Sequence, residues 1–133
     1  MGIGVGLNRV LVVDDDQESR NLLSEVLSAN GYSVEVAEDG EGLWKALSLD
    51  NGRAVILIDL RMPGENGLEL LRKLQKKKVA CDAILMTSFM TGAERELAQE
   101  LGARAFLEKP FRLAELVRVV SDLASRNPIG ISS

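Results

Sequence analysis

Apolar and polar residues follow two alternating periods along this chain. Short runs of consecutive apolar side chains end abruptly in polar ones, and behind each run apolar residues recur at three- and four-residue spacing. RVLVV, Arg9 to Val13, stops at three aspartates and reads as a buried strand. Leu22, Leu23, Val26 and Leu27 then mark one face of a predicted helix over Gln17 to Asn30, with Gly31 as its stop. The pair recurs four times. Strands are predicted over Ser33 to Ala37, Ala54 to Ile58, Ala83 to Met86 and Ala105 to Leu107. Helices are predicted near Glu41 to Leu49, Asn66 to Lys77, Ala93 to Leu101 and Leu113 to Ala124.

Strands that are apolar on both faces and separated by helices build a parallel sheet covered on both sides, because every crossover packs a helix onto a face. The predicted class is α/β, doubly wound, with five strands. Its polar residues fall in one kind of place. Asp14, Asp15 and Asp16 follow the first strand, Asp59 the third, Thr87 the fourth and Lys109 the fifth. Carboxyl ends of parallel strands share one edge, and ligands bind there where the winding reverses. With strand order 2-1-3-4-5 the reversal falls between strands one and three. The aspartates then flank one cleft, with Thr87 and Lys109 across from them.

Composition narrows the chemistry. The chain has 133 residues, 46% of them apolar, which suits one compact domain and leaves little room for a second. We expect a lead segment over 1–8, the folded unit over 9–125 and a tail or start of a linker over 126–133. There is no histidine and only one cysteine. Imidazole bases, Ser-His-Asp and Cys-His nucleophile systems and mixed zinc sites are excluded, as is an internal disulfide. Twenty acidic against sixteen basic residues, net −4, argue against direct nucleic-acid binding by this segment. No signal-peptide pattern opens the chain and no apolar run is long enough to span a membrane, so a cytoplasmic location is expected.

Crowded carboxylates repel, and with only oxygen ligands on offer the natural relief is a hard divalent ion, Mg²⁺ or Mn²⁺. Such an ion beside a carboxylate, a lysine and a hydroxyl suits phosphoryl transfer, in which charge on the equatorial oxygens is neutralised during in-line attack. The nucleophile has to be a carboxylate, since Cys81 lies before the fourth strand and not at its carboxyl end.

VLVVDDDQESR, VILIDLRMPGENGLELL, ILMTS and FLEKPF together resemble the receiver domain of bacterial two-component response regulators, over roughly Arg9 to Ala124. The resemblance implies a flavodoxin-like fold. It implies that Asp59 is the phosphoacceptor, taking a phosphoryl group from a phosphohistidine on a sensor histidine kinase or histidine phosphotransfer protein. Asp14 and Asp15 match the acidic pair, Asp15 as direct metal ligand and Asp14 through water; the backbone carbonyl of Arg61 completes the set. Lys109 matches the lysine that contacts acceptor and phosphoryl group, Thr87 the switch hydroxyl and Phe106 the switch aromatic. The implied output is a change in the surface of helix four, strand five and helix five, read by a downstream protein or a fused output domain. Such a domain catalyses its own phosphorylation and slow dephosphorylation and is not a turnover enzyme.

Plainer readings stand beside these. Asp16 serves either the metal or the cap of the first helix, and Phe106 is either switch or core. Trp44 and Met86 read as packing residues, and Lys76 to Lys78 as the positive end of the third helix. Mixed charges on helices four and five read as a solvated face, the alternative being a dimer that forms on phosphorylation. Asn66 replaces the family's usual aspartate and Ser88 its usual small residue. Arg61 and Phe89 occupy positions that resemble the family's tuning sites for dephosphorylation, and Phe89 is expected to shield the acyl phosphate in part. A rival reading, a metal-dependent phosphohydrolase similar to the haloacid dehalogenase group, would use Asp14 and Asp16 as its Asp-x-Asp pair but leaves Asp59 unexplained.

Overall fold

The computed structural model describes residues 8–125. The expected tail over 126–133 and, apart from Asn8, the expected lead segment lie outside the described residues. Ten elements alternate: β1 (Arg9–Val13), α1 (Gln17–Ala29), β2 (Ser33–Ala37), α2 (Gly40–Leu49), β3 (Ala54–Asp59), α3 (Gly67–Lys76), β4 (Cys81–Thr87), α4 (Gly92–Glu100), β5 (Ala103–Glu108) and α5 (Leu113–Ala124). The five strands form one parallel sheet in the order β2-β1-β3-β4-β5. This is the expected doubly wound topology.

Period-two alternation sorts the strand side chains into two cores. Val10, Val12, Val55, Leu57, Ile84 and Met86 face α1 and α5, meeting Leu23, Leu27, Leu116 and Val120. Leu11, Val13, Ile56, Ile58 and Leu85 point the other way, into Leu43, Leu47, Leu70, Leu71 and Leu74 of α2 and α3 and Ala98 of α4. The central β1 and β3 are buried on both faces throughout, so apart from Arg9, which opens β1, they carry no polar residue before their carboxyl ends.

The edge strands differ from the expectation of two apolar faces. β2 and β5 each leave positions in solvent, because each has a neighbour on one side only. Three strands also run further than the apolar pattern indicated, β3 by the single residue Asp59 and β4 and β5 at both ends. β4 begins at Cys81, so Cys81 is its first residue and not a loop residue before it. Asp82, buried within the strand, interrupts the apolar run; Arg53 donates to both its carboxylate oxygens at 3.1 and 3.0 Å, which keeps the charge tolerable there. β5 spans Ala103–Glu108, its exposed Arg104 hiding the extension. Helix ends shift by one residue where an expected terminal residue serves as a cap: Asn30 closes α1, and Asn66 and Lys77 bracket α3. Of the expected run Lys76 to Lys78, Lys76 lies in the last turn of α3 and Lys77 caps it, while Lys78 falls beyond the helix; Lys73 is the second positive charge of that turn.

Candidate functional site

The site is assembled at the carboxyl ends of β1, β3, β4 and β5. Asp14 stays in register with the sheet just past β1, its N–H donating to the Ala37 carbonyl at 3.1 Å, and its side chain is fully buried. The Asp16 N–H donates to Asp14 Oδ1 at 2.9 Å, and Arg20 Nη1 donates to the Asp14 carbonyl at 2.7 Å. Asp14 Oδ2 is buried and has no hydrogen-bond partner. Asp59 ends β3 and is 7% exposed; it accepts from the Arg61 N–H at 3.2 Å through Oδ1. Asp15 is exposed at the rim. Carboxylate oxygens of Asp14, Asp15 and Asp59 lie within 4.8 Å of one another.

Lys109 enters from the end of β5, its N–H donating to the Thr87 carbonyl at 2.8 Å and its peptide to Pro110 cis. Its ammonium stands 3.6 Å from Asp14 Oδ2 and 3.6 Å from Asp59 Oδ2. Those separations carry Coulomb attraction without a formed hydrogen bond. Burial pushes the Asp59 carboxyl from its usual 3.8 up to about 6, opposed by Lys109 and the Arg61 N–H and reinforced by Asp14 and Asp15. A partly neutralised, crowded acid group is what three carboxylates and one lysine yield without a cation.

Gly67 explains how α3 can start so near Asp59. A Cβ at this position would lie 2.9 Å from Leu60 Cα and 3.0 Å from the Asp59 carbonyl oxygen. Asn66, the departure from the usual aspartate, keeps the helix start intact. Its side chain accepts from the Glu69 N–H while Glu69 reaches back to the Asn66 N–H.

Not every predicted residue joins the cluster. Asp16 caps α1, accepting from the Ser19 N–H at 2.9 Å, which answers the choice left open between cap and metal ligand. That carboxylate is thereby spent on the helix, against its use in an Asp-x-Asp pair. Thr87, buried at the end of β4, turns its hydroxyl toward the following loop: Oγ1 donates to the Phe89 carbonyl at 2.7 Å and accepts from the Phe89 N–H at 3.2 Å. Phe106 is half-buried against the core under α2, α3 and α4, with the Arg95 guanidinium 4.4 Å from its ring centroid. Met86 and Trp44 pack in the two cores as expected.

One contact beside the cluster was not foreseen. Arg61 extends from the loop after Asp59 to Glu94 on α4, Nη1 and Nη2 donating to the two carboxylate oxygens at 2.9 and 2.8 Å. The pattern Thr91-x-x-Glu94 is a readable helix-start signal, but the pairing across 33 residues is not. Cys81 lies at the opposite end of the sheet, and burial beside Asp82 pushes its thiol up to about 11, so it stays unreactive at neutral pH. A groove of about 840 Å³ along Trp44, Leu47, Lys77 and Val79 lies apart from the carboxylate cluster. Among the described residues, no helix is long and apolar enough to cross a membrane.

Comparison with known proteins follows the same residues. The transcriptional regulatory protein CpxR of Escherichia coli is 38% identical over 122 residues, 91% of this chain and 51% of CpxR. The chain therefore spans about half the length of the curated relatives it matches. The receiver domain of Francisella response regulator 1452 superposes with a TM-score of 0.80 at 30% identity, covering 90% of this chain and 98% of that one. A beryllofluoride-activated NtrC4 receiver domain, seen as a dimer, reaches 0.80 at 26% identity, covering 89% and 97%. Residues 10–121 match the model of the response regulator receiver domain. With sheet order, acidic cluster and sequence in agreement over this span, the chain belongs to the response regulator receiver domain family.

Proposed function

We propose that residues 9–125 work as a cytoplasmic phosphorylation switch in which Asp59 accepts a phosphoryl group from a phosphohistidine on a sensor kinase or phosphotransfer protein. The observation that carries this reading is the ammonium of Lys109 placed 3.6 Å from carboxylates of both Asp14 and Asp59, beside the unpartnered Asp14 Oδ2. In the transfer an Asp59 carboxylate oxygen forms the new bond to phosphorus as the bond to the donor nitrogen breaks. The imidazole then leaves with the electron pair and takes a proton. No histidine occurs among the 133 residues, so the donor lies outside this sequence.

The residues present fit Mg²⁺ or Mn²⁺. Three carboxylates offering oxygens within 4.8 Å of one another, with Asp14 Oδ2 buried and without a hydrogen-bond partner, form an all-oxygen donor set with excess negative charge. Asp15 and Asp59 would hold the ion directly and Asp14 through water, with the Arg61 carbonyl as a further ligand. When bound, the ion supplies positive charge against the phosphoryl oxygens. Lys109 supplies the second positive charge and orients Asp59, while the buried walls limit water at the acceptor.

Phosphorylation adds about −1.5 to −2 charges at Asp59 together with strong acceptors. Thr87 then exchanges its bonds to Phe89 for one to the phosphoryl group, and Phe106 moves into the space vacated. The surface of α4, β5 and α5 changes for a downstream protein or fused output domain. The domain completes one transfer per signal and does not turn over a substrate. Incubation with labelled acetyl phosphate and Mg²⁺ tests the assignment. Wild type takes up label close to one per chain and Asp59→Asn takes up none; uptake by the variant at the wild-type level would move the acceptor elsewhere.

A further inference from the structure

The contacts of Arg61 form a closed chain that the receiver reading does not require. Arg61 Nη2 donates to the Phe89 carbonyl at 3.2 Å, the same oxygen that accepts the Thr87 hydroxyl. The same Nη2 also donates to Glu94 Oε1, and that oxygen accepts the Thr91 N–H at 3.0 Å, closing the first turn of α4. One carboxylate thus caps the helix and grips the guanidinium two residues beyond the acceptor. The next residue, Arg95, lies over the Phe106 ring.

We propose that Glu94 is a positioning residue for the switch: through Arg61 it latches the loop after β4 in place and so holds the Thr87 hydroxyl on Phe89. The inference rests on the receiver reading of the site. For Thr87 to reach a phosphoryl group it must give up both bonds to Phe89, or carry the loop with it. The loop cannot follow while Arg61 holds the Phe89 carbonyl and Glu94 holds Arg61 by two charge-assisted bonds. Glu94 is held below the usual carboxylate range, first by those bonds from Arg61, and remains charged at neutral pH. The negative charge arriving at Asp59 attracts Arg61 and repels Glu94, which opens the latch from the acceptor side. The opened turn of α4 also carries Arg95, so the stacking on Phe106 loosens with it.

The test is a beryllofluoride titration in Mg²⁺, followed by the amide signals of Phe89 and Thr87, on wild type, Glu94→Gln, Arg61→Gln and the double variant. Glutamine keeps the acceptor for the Thr91 N–H and removes the charge gripping Arg61. Glu94→Gln should switch at roughly two- to fivefold lower beryllofluoride, the worth of a half-exposed bidentate pair. Before any addition, its Phe89 signal should already move toward the activated position. In the Arg61→Gln background the same substitution should change neither reading, since no guanidinium remains to hold.

An equal shift in both backgrounds would assign the effect to long-range charge and overturn the latch. So would no shift in the wild-type background. If none of the four proteins responds to beryllofluoride while all remain folded, the receiver reading itself fails.

Discussion

Asp59 shows what burial among other carboxylates costs a single side chain. Its folded pKa of about 6 stands above the 3.8 of an exposed aspartate, so between those values the native state keeps a proton the unfolded chain has lost. The stabilisation from that proton is complete below about pH 4 and is lost as pH rises through about 6. At neutral pH the ionised Asp59 carboxylate therefore costs on the order of 2–3 kcal/mol in the absence of metal. Asp59→Asn should stabilise the chelator-treated protein at neutral pH by about 1–3 kcal/mol, with the gain shrinking toward about pH 4. Urea unfolding at the two pH values checks this, and a gain that does not change with pH would place the cost elsewhere. Phe89 makes a second prediction at this scale. The residue is 63% exposed although its backbone is bound by Thr87 and Arg61. If the ring shields the acyl phosphate, Phe89→Ala loses label from Asp59 faster than wild type; equal rates would remove that role.

At the scale of elements, strand ends and helix starts set the geometry. Gly67 lets α3 begin against the backbone of Leu60 and Asp59, with Leu85 Cδ2 3.1 Å from where a Cβ would stand. Gly67→Ala should cost about 1–3 kcal/mol by overpacking and, on the proposed function, slow phosphoryl uptake by displacing the segment that carries Asp59. A variant with both its unfolding midpoint and its uptake unchanged would show that the contact relaxes freely. Asn66 and Thr91 each close a capping box, so Asn66→Ala should cost about 1 kcal/mol whereas Asn66→Asp should leave stability nearly unchanged. Both boxes were written in the chain as Asn-x-x-Glu and Thr-x-x-Glu. Element boundaries were less legible wherever burial of charge depended on a distant partner. Asp82 hid the start of β4 because its partners Arg53 and Arg104 belong to other segments.

At the scale of the whole molecule, the cation binding proposed at the acidic cluster would be linked to folding. A cation that binds only the native state stabilises it by about 2.7 kcal/mol when present at about 100 times its dissociation constant. MgCl₂ should therefore raise the Tm of wild type in a concentration-dependent way and leave that of Asp14→Asn much less changed. Equal rises in the two proteins would place the ion elsewhere.

Local periodicity was enough to determine the strand-helix alternation, the parallel sheet and the edge on which Asp14, Asp15, Asp59, Thr87 and Lys109 fall. Those properties depend on spacing along the chain, which the sequence carries in full. Tertiary structure alone decided that Asp16 serves a helix, that Asp59 is buried enough to hold its proton to about pH 6, that the Thr87 hydroxyl rests on Phe89, and that Arg61 grips Glu94. Each of these depends on which segments pack side by side and on the rotamer each polar group adopts once its neighbours are in place. Hydrogen bonds and desolvation act over a few ångströms in space, whatever the distance along the chain.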